Sequence, residues 1–413
     1  MGFDFEVEGM GLYAEDLGDE AVELTQEMVR IDSSDPGAYE GEIGDFIERW
    51  LEGHAPGVFV ERREVVDGRE NLCAVLEGKA EHPALIFICH MDTVTLGEGW
   101  ERSTPLSGEI MDGKLYGRGA CDMKSGLACA MSVFAACAKK AEKLGIPGRT
   151  MKLIATVDEE DFMRGAEHAI SSGWVSAEDW VLDMEPTDGK IEVAHKGRAW
   201  FELSVEGITA HASTPHKGAD AIAGISEMIC EIRRAIQDAP VHHELGNSTV
   251  TFGMIEGGYR PYVVPDKAKV WIDMRLVPPL TTARAEEIVR KAMEAGEEQV
   301  PGVHASYVIT GNRPFIEKDE SSLLLNHLCW AVEKVTDAAA VVDIFPGYTD
   351  TAVIAGVFEN HNCMSYGPGS LELAHKPDEH VEVKEIYRCC AVLQSLADDI
   401  LFKSIDDILI KSN

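Results

Sequence analysis

The segment Ala84-Leu-Ile-Phe-Ile-Cys-His90-Met-Asp92 decides how the whole chain is read. An unbroken apolar run with no polar alternation describes a strand covered on both faces, and here it stops abruptly in a histidine and a carboxylate. Two further runs end in the same way. Lys152-Leu-Ile-Ala-Thr-Val157 leads into Asp158-Glu159-Glu160, and Trp180-Val-Leu182 leads into Asp183-Met-Glu185-Pro186. Helical spacing from Gly126 to Leu144 lies between the first two runs. Strand, helix, strand at this separation predicts a parallel α/β sheet. Upstream, Ala21, Leu24, Met28 and Val29, then Ile43, Phe46, Ile47 and Trp50, carry helical periodicity.

The pattern changes near Gly197. Trp200-Phe-Glu-Leu-Ser-Val205 alternates, a helical stretch follows from Ala219 to Ile236, and Ser248 to Ile255 and Ala268 to Leu276 read as strands. Thr281 to Ala295 reads as a helix. The first style returns after Gly311, with helices near Ser321 to Val335 and Lys384 to Phe402. A chain of 413 residues exceeds one ordinary core. The expected fold class is therefore α/β. A discontinuous, mostly parallel-sheet domain spans 1–196 plus 312–413, and an α+β insert spans 197–311.

Composition narrows the function classes. The net charge of −35, from 72 acidic and 37 basic residues, argues against nucleic acid and anionic membranes as partners, since both require a basic footprint. It describes a solvated, salt-adapted surface. No apolar run approaches the ~20 residues needed to cross a bilayer. The acidic stretch 1–15 lacks a basic region followed by an apolar one, so a cytoplasmic protein is expected. Ten cysteines, mostly inside apolar runs and without a CxxC pair, read as reduced thiols.

Ligands in open α/β sheets assemble beyond the carboxyl ends of the strands, where all three polar clusters fall. Several carboxylates converging there would repel one another without a cation. Mixed histidine and carboxylate donors suit zinc, with cobalt or manganese as alternatives. His90 and Asp92 are two apart, so in an extended segment they face the same way, and Asp92 can orient the imidazole. Glu159 and Glu160 point differently, so one can bind metal while the other acts as base. The run Gly117-Arg-Gly-Ala-Cys-Asp122-Met-Lys-Ser-Gly126 lets the backbone turn tightly and bring Asp122 inward, where it can bridge two metals. Lys124-Ser125 is no phosphate loop, because positions 118 and 123 lack the required glycines. Gly367-Pro-Gly369, His375 and Glu379 complete the candidates.

Together these segments closely resemble the zinc metallopeptidase superfamily of acetylornithine deacetylase, succinyl-diaminopimelate desuccinylase, aminoacylase and glutamate carboxypeptidase. The resemblance rests on His90-Met-Asp92-Thr-Val, the run from Tyr116 to Gly126, Asp158-Glu-Glu160, Glu185-Pro-Thr187, Gly207-Ile-Thr-Ala-His211-Ala-Ser and Gly367-Pro-Gly-Ser with His375, in the family's order. It implies two zinc ions (Zn2+), one on His90, Asp122 and Glu185, the other on His375, Asp122 and Glu160. Glu159 would be general base and then acid, with Asp92 behind His90. The insert would be a lid that also forms a homodimer, and its His211 would reach the partner subunit's site to hold the oxyanion. Arg275, in Asp273-x-Arg275, would meet a substrate carboxylate. Gly347 and Thr349, in Gly347-Tyr-Thr-Asp350, and Gly369 would be further substrate contacts. One departure stands out: relatives often carry Asn before Val-Val-Pro, where this chain has Tyr262, and a phenol lacks an amide's paired donor and acceptor.

The implied activity is hydrolysis of the amide bond of a small N-acyl amino acid. A dipeptidase or carboxypeptidase acting on short peptides is the alternative, towards which Tyr348-Thr-Asp350 leans. A non-catalytic binding relative would be expected to lose a ligand or the base, and all are present here.

Overall fold

The computed structural model describes residues 12–402. The acidic start, through residue 11, lies outside the described residues. The chain divides into two compact units. One runs to Val193 and resumes over Lys318–Phe345 and from Thr349; the other comprises Ala194–Glu317 with Pro346–Tyr348.

An eight-stranded sheet organises the first unit, in the order Phe59–Val66, Arg69–Leu76, Arg149–Thr156, Ala80–His90, Trp180–Asp183, Cys363–Ser365, Ile191–His195, Val342–Phe345. Its centre is parallel: Ala80–His90 pairs in parallel with Arg149–Thr156 and Trp180–Asp183, and the last of these pairs in parallel with Cys363–Ser365. Leu85, Ile86, Phe87 and Ile88 are wholly buried, as a run apolar on both faces requires. The register sets His90 beside Thr156, and Ile88 beside Asp183. The three polar clusters therefore emerge at one edge.

Helix Lys124–Leu144 starts two residues after Asp122 and is buried from Lys124 through Ala135. It packs with helices Leu12–Val29 and Val383–Phe402. Lys124 is itself buried, its Nζ donating to the carbonyls of Met28 and Ile31 at 3.0 and 2.8 Å. It thus caps the end of the first helix and takes no part in a phosphate loop.

The second unit is a four-stranded antiparallel sheet, ordered Thr249–Gly257, Lys267–Leu276, Gly197–Glu206, His304–Arg313. Alternate residues such as Phe201, Leu203, Val270 and Ile272 bury against Ile225, Met228 and Val289 of helices Ala221–Gln237 and Thr282–Gln299. Asp220 and Thr281 cap these helices through their side chains. Several strands carry no clear sequence signal, among them Phe59–Val66 and His304–Arg313. Phe59–Val66 is charge-rich and largely part-exposed, and His304–Arg313 never becomes fully buried, so neither presents a strong apolar signal. The ten cysteines are all free thiols. Among the described residues no helix is long and apolar enough to cross a membrane.

Gly126 sets how closely the central helix approaches the segment carrying Glu185. A Cβ there would lie 2.2 Å from the carbonyl oxygen of Met184. Replacing an interior helical glycine by alanine normally gains roughly 0.5–1 kcal/mol; here overpacking, at about 1–3 kcal/mol, wins. Gly126→Ala is expected to lower stability, read as a reduced denaturant midpoint, and an unchanged or raised midpoint would refute the close approach.

Candidate metal centre

Five side chains converge beyond the strand ends. His90 and Glu185 come from the two adjacent parallel strands, Asp122 from the turn before the central helix, and Glu160 from the turn after Arg149–Thr156. His375 comes from a late loop, in a left-handed conformation at φ 62°. The two oxygens of Asp122 face different imidazoles: Oδ1 lies 3.2 Å from His90 Nε2, and Oδ2 3.3 Å from His375 Nε2. Glu185 Oε1 is 3.7 Å from His90 Nε2, and Glu160 Oε2 is 3.0 Å from His375 Nε2. Donor atoms of His90, Asp122 and Glu160 lie within 4.8 Å of one another, as do those of His90, Glu159 and Glu185. His90 belongs to both groups, and Asp122 stands between the two imidazoles.

Asp92 has two roles. Its backbone carbonyl meets His90 Nδ1 at 2.9 Å, whereas its carboxylate stands 3.7 Å away. That carboxylate instead accepts the amides of Glu159 and Glu160 at 3.2 and 3.0 Å. With Nδ1–H donating to a carbonyl, loss of the Nε2 proton would leave a lone pair pointing into the cage, the tautomer a metal ligand needs.

The electrostatics show what the cage lacks. Burial drives the Glu159 carboxyl well above the usual carboxylate range. Burial and the adjacent Asp122 charge do the same to Glu185. Burial also pushes Asp122 up, but hydrogen bonds from His375 and His90 reverse that and hold it below the usual range. Burial pulls the His90 imidazolium down, and Asp122, Glu185 and Glu159 more than restore it. His375 is pushed up to about 10 by its bonds to Asp122 and Glu160. Protons fill the place of cations. A donor set of two imidazoles and several carboxylates fits zinc, and a pair of dications would neutralise the excess charge.

A second ion pair braces the bridge. Glu379 is buried, and its Oε1 accepts the backbone amides of Cys121 and Asp122 at 3.0 and 3.2 Å. Its Oε2 accepts from Arg118 Nη1 at 2.5 Å. Behind Glu185, a Cβ on Gly367 would stand 2.4 Å from the Glu185 carbonyl oxygen, so only glycine permits that approach. The sequence reading noted Glu379 without a role and passed over Arg118; its position in the glycine run was the available signal.

The expected substrate contacts have other commitments. Thr349 is buried and caps helix Asp350–Phe358, its hydroxyl 3.3 Å from the Ala352 amide and 2.8 Å from Thr351 Oγ1. The Gly369 amide donates to Glu385 at 2.8 Å. Gly347 lies in the short segment grouped with the second unit, where its backbone bonds to the buried His195. Arg275 pairs with Asp273 at 3.0 Å. His211 is exposed, and its Nδ1 accepts the Ser213 amide at 3.2 Å, which leaves the proton on Nε2 as a donor. Tyr262 is also exposed, and its carbonyl accepts the Ala212 amide at 3.1 Å. Asp350, which the reading left out, is buried close to Glu159 and accepts the Thr156 hydroxyl at 2.6 Å.

A histidine and carboxylate cage at the ends of parallel strands defines a metal-dependent hydrolase. The chain belongs to peptidase family M20/M25/M40, which it matches over residues 86–399, and is accordingly a hydrolase of amide or peptide bonds. It is 26% identical over 359 residues to an acetylornithine deacetylase of Myxococcus xanthus, covering 84% of this chain and 89% of that protein. It is 26% identical over 352 residues to a probable succinyl-diaminopimelate desuccinylase of Staphylococcus epidermidis, covering 78% and 84%. The fold is shared with a tripeptidase from Staphylococcus aureus at a TM-score of 0.76 and 20% identity, covering 93% and 98%. An M20 metallo-carboxypeptidase from Sulfolobus solfataricus gives 0.73 at 17% identity, covering 92% and 98%.

Cation binding must expel the protons that the cage retains. His375 and His90 hold theirs to higher pH than free imidazole, so protons compete with metal below those values. Zinc affinity is expected to rise between about pH 6 and about pH 8, by roughly tenfold per unit for each proton displaced. Chelator competition measures it, and a flat profile would contradict the cage electrostatics.

Proposed function

We propose that this protein is a two-zinc hydrolase that cleaves the amide bond of an N-acyl amino acid. The observation that carries the reading is Asp122, whose two oxygens face two different imidazoles, His90 and His375, with Glu159 and Glu185 gathered at His90. His90, Asp122 and Glu185 would hold one zinc, and His375, Asp122 and Glu160 the other. Two zinc ions so held would polarise a carbonyl oxygen and lower the pKa of water to about 7. Cobalt or manganese has the same donor preferences to satisfy.

Glu159 is the base. Burial keeps its proton affinity high, which suits a carboxylate that takes a proton from water and returns it to the departing amine. Asp92 aims it by holding its amide. The second unit acts as a lid and dimerisation domain. Its strand Thr249–Gly257 lies at an open sheet edge, with Met254 and Ile255 more than half exposed, a template for pairing with a second copy. His211 donates from Nε2 to the oxyanion in the partner subunit. Arg275, with about a third of its side chain exposed, takes the substrate carboxylate. Thr349 and Gly369 serve the scaffold through the bonds described above.

The second reading is a dipeptidase or carboxypeptidase. Tyr348-Thr-Asp350 favours it, and Tyr262, which cannot supply the paired amide contact of relatives that carry Asn there, points to an atypical substrate under either reading. A panel of N-acetyl amino acids, N-succinyl amino acids and dipeptides, each with zinc, cobalt and manganese, separates the two; turnover of none would refute both.

Glu159→Gln is expected to keep its metal content by elemental analysis and lose turnover by roughly 10²–10⁴-fold; retained turnover would remove Glu159 as base. His211→Ala is expected to sediment as the intact dimer and to be inactive, and an active variant would end the proposed oxyanion role.

A further inference from the structure

The loop carrying Glu159 and Glu160 is held from outside by a strand that contributes nothing to the cage itself. Asn71 and Arg69 are two apart on strand Arg69–Leu76 and so face the same way. Asn71 spans the loop's two ends: its Oδ1 accepts the Val157 amide at 3.1 Å, and its Nδ2 donates to the Gly165 carbonyl at 2.8 Å. Arg69 reaches the loop through carboxylates. Its Nε donates to Glu40 Oε2 at 2.8 Å, its Nη2 meets Asp35 Oδ2 at 2.7 Å, and its Nη1 meets Asp158 Oδ1 at 3.4 Å. Glu40 Oε1, also bonded to Nη2, accepts the Asp158 amide at 3.3 Å. The guanidinium lies 4.7 Å over the Tyr39 ring, and only a tenth of the Arg69 side chain is exposed.

Asp158 immediately precedes the base. Its backbone sits in the left-handed region at φ 68°, which a non-glycine residue adopts only when its surroundings impose it. Arg164 supplies one such constraint, its Nε donating to Asp158 Oδ2 at 2.6 Å. That bond ties the loop to the start of helix Arg164–Ser171, not to strand Arg69–Leu76. Glu40, Asp35 and Asp92 bring carboxylate oxygens within 4.8 Å of one another. Such a cluster would repel itself apart without a positive charge, and Arg69 is the cation bonded to two of its three members.

We propose that Arg69 is a positioning residue: its guanidinium holds Glu40, Asp35 and Asp158 together and thereby fixes the loop that aims Glu159 and Glu160. This rests on the reading of Glu159 as base and Glu160 as ligand. The role demands a planar fork, because three carboxylates are met from three directions, and a lysine ammonium cannot reproduce that geometry.

The test uses the zinc-loaded full chain with Arg69→Lys and Arg69→Ala. Amide hydrogen exchange read by mass spectrometry is expected to rise in the peptide spanning 157–165 for both variants, more for alanine, and to stay unchanged in the second unit. With the N-acyl amino acid or dipeptide turned over by the parent, kcat is expected to fall by about 10²-fold for alanine, with KM nearly constant. Guanidinium ion at sub-denaturing concentration should restore part of both signals in Arg69→Ala. Unchanged exchange at 157–165 in both variants would overturn the proposal, as would a rise spread over the whole chain, which marks a merely structural residue. If no substrate is turned over by the parent, the base assignment fails while the exchange result still decides whether Arg69 holds the loop.

Discussion

Mutual repulsion among buried carboxylates is the constraint on which the rest of this structure depends. Asp122, Glu159, Glu160 and Glu185 gather where His90 is their deep positive partner. No apolar packing rewards that gathering, so the scaffold must impose it. It does so with parallel strands whose register ends at a common edge, and with two helix starts aimed at the same region. Helix Lys124–Leu144 begins just after Asp122, and helix Asp350–Phe358 begins at Asp350, whose charge acts on Glu159. Helix N-termini carry partial positive charge, which softens the repulsion without removing it.

The two halves of the cage are built unequally. The His90 half rests on strands and is 1% exposed at that imidazole. The His375 half rests on a loop, with 49% of the imidazole side chain open to water. A cation in the deep half is held by groups with no solvent to return to, whereas His375 can exchange protein contacts for water at little cost. The shallow half is therefore the one that yields first to chelation or acid, and the one with room for a substrate atom to approach.

The candidates His90, Glu160 and Glu185 were legible in sequence because each follows an apolar run with a strong local signature, whereas Asp122 and His375 lie in a turn and a loop and were marked only by their motifs. Apolar runs that stop in acids and a histidine announce both a buried strand and its functional end. The bracing residues carry no such mark. Arg118 and Glu379 lie 261 residues apart, and nothing local relates them. Arg69 sits in the charge-rich stretch Phe59 to Asn71, from which no element was expected; it folds as an edge strand and the start of its neighbour, and supplies a largely buried cation. Thr349 shows the converse limit. Its place in Gly347-Tyr-Thr-Asp350 suggested substrate contact, yet a threonine before a helix has a competing use as a cap, and the structure uses it so.

Asp92 touches both His90 and the loop that bears Glu159 and Glu160. A carboxylate behind His90 would have oriented one ligand and left the base loop to find its own position. With the carbonyl on Nδ1 and the carboxylate on two successive amides, a single residue sets both the tautomer of a metal ligand and the position of the loop bearing Glu159. The two contacts leave Asp92 by different routes, the backbone carbonyl to His90 and the side chain to the loop, and both start from one Cα. Arg69 and Asn71 restrain the far side of the same loop. The loop bearing Glu159 is thus held between strand Ala80–His90, through Asp92 just beyond it, and strand Arg69–Leu76, and it brings the Glu159 carboxyl within reach of His90 and Glu185.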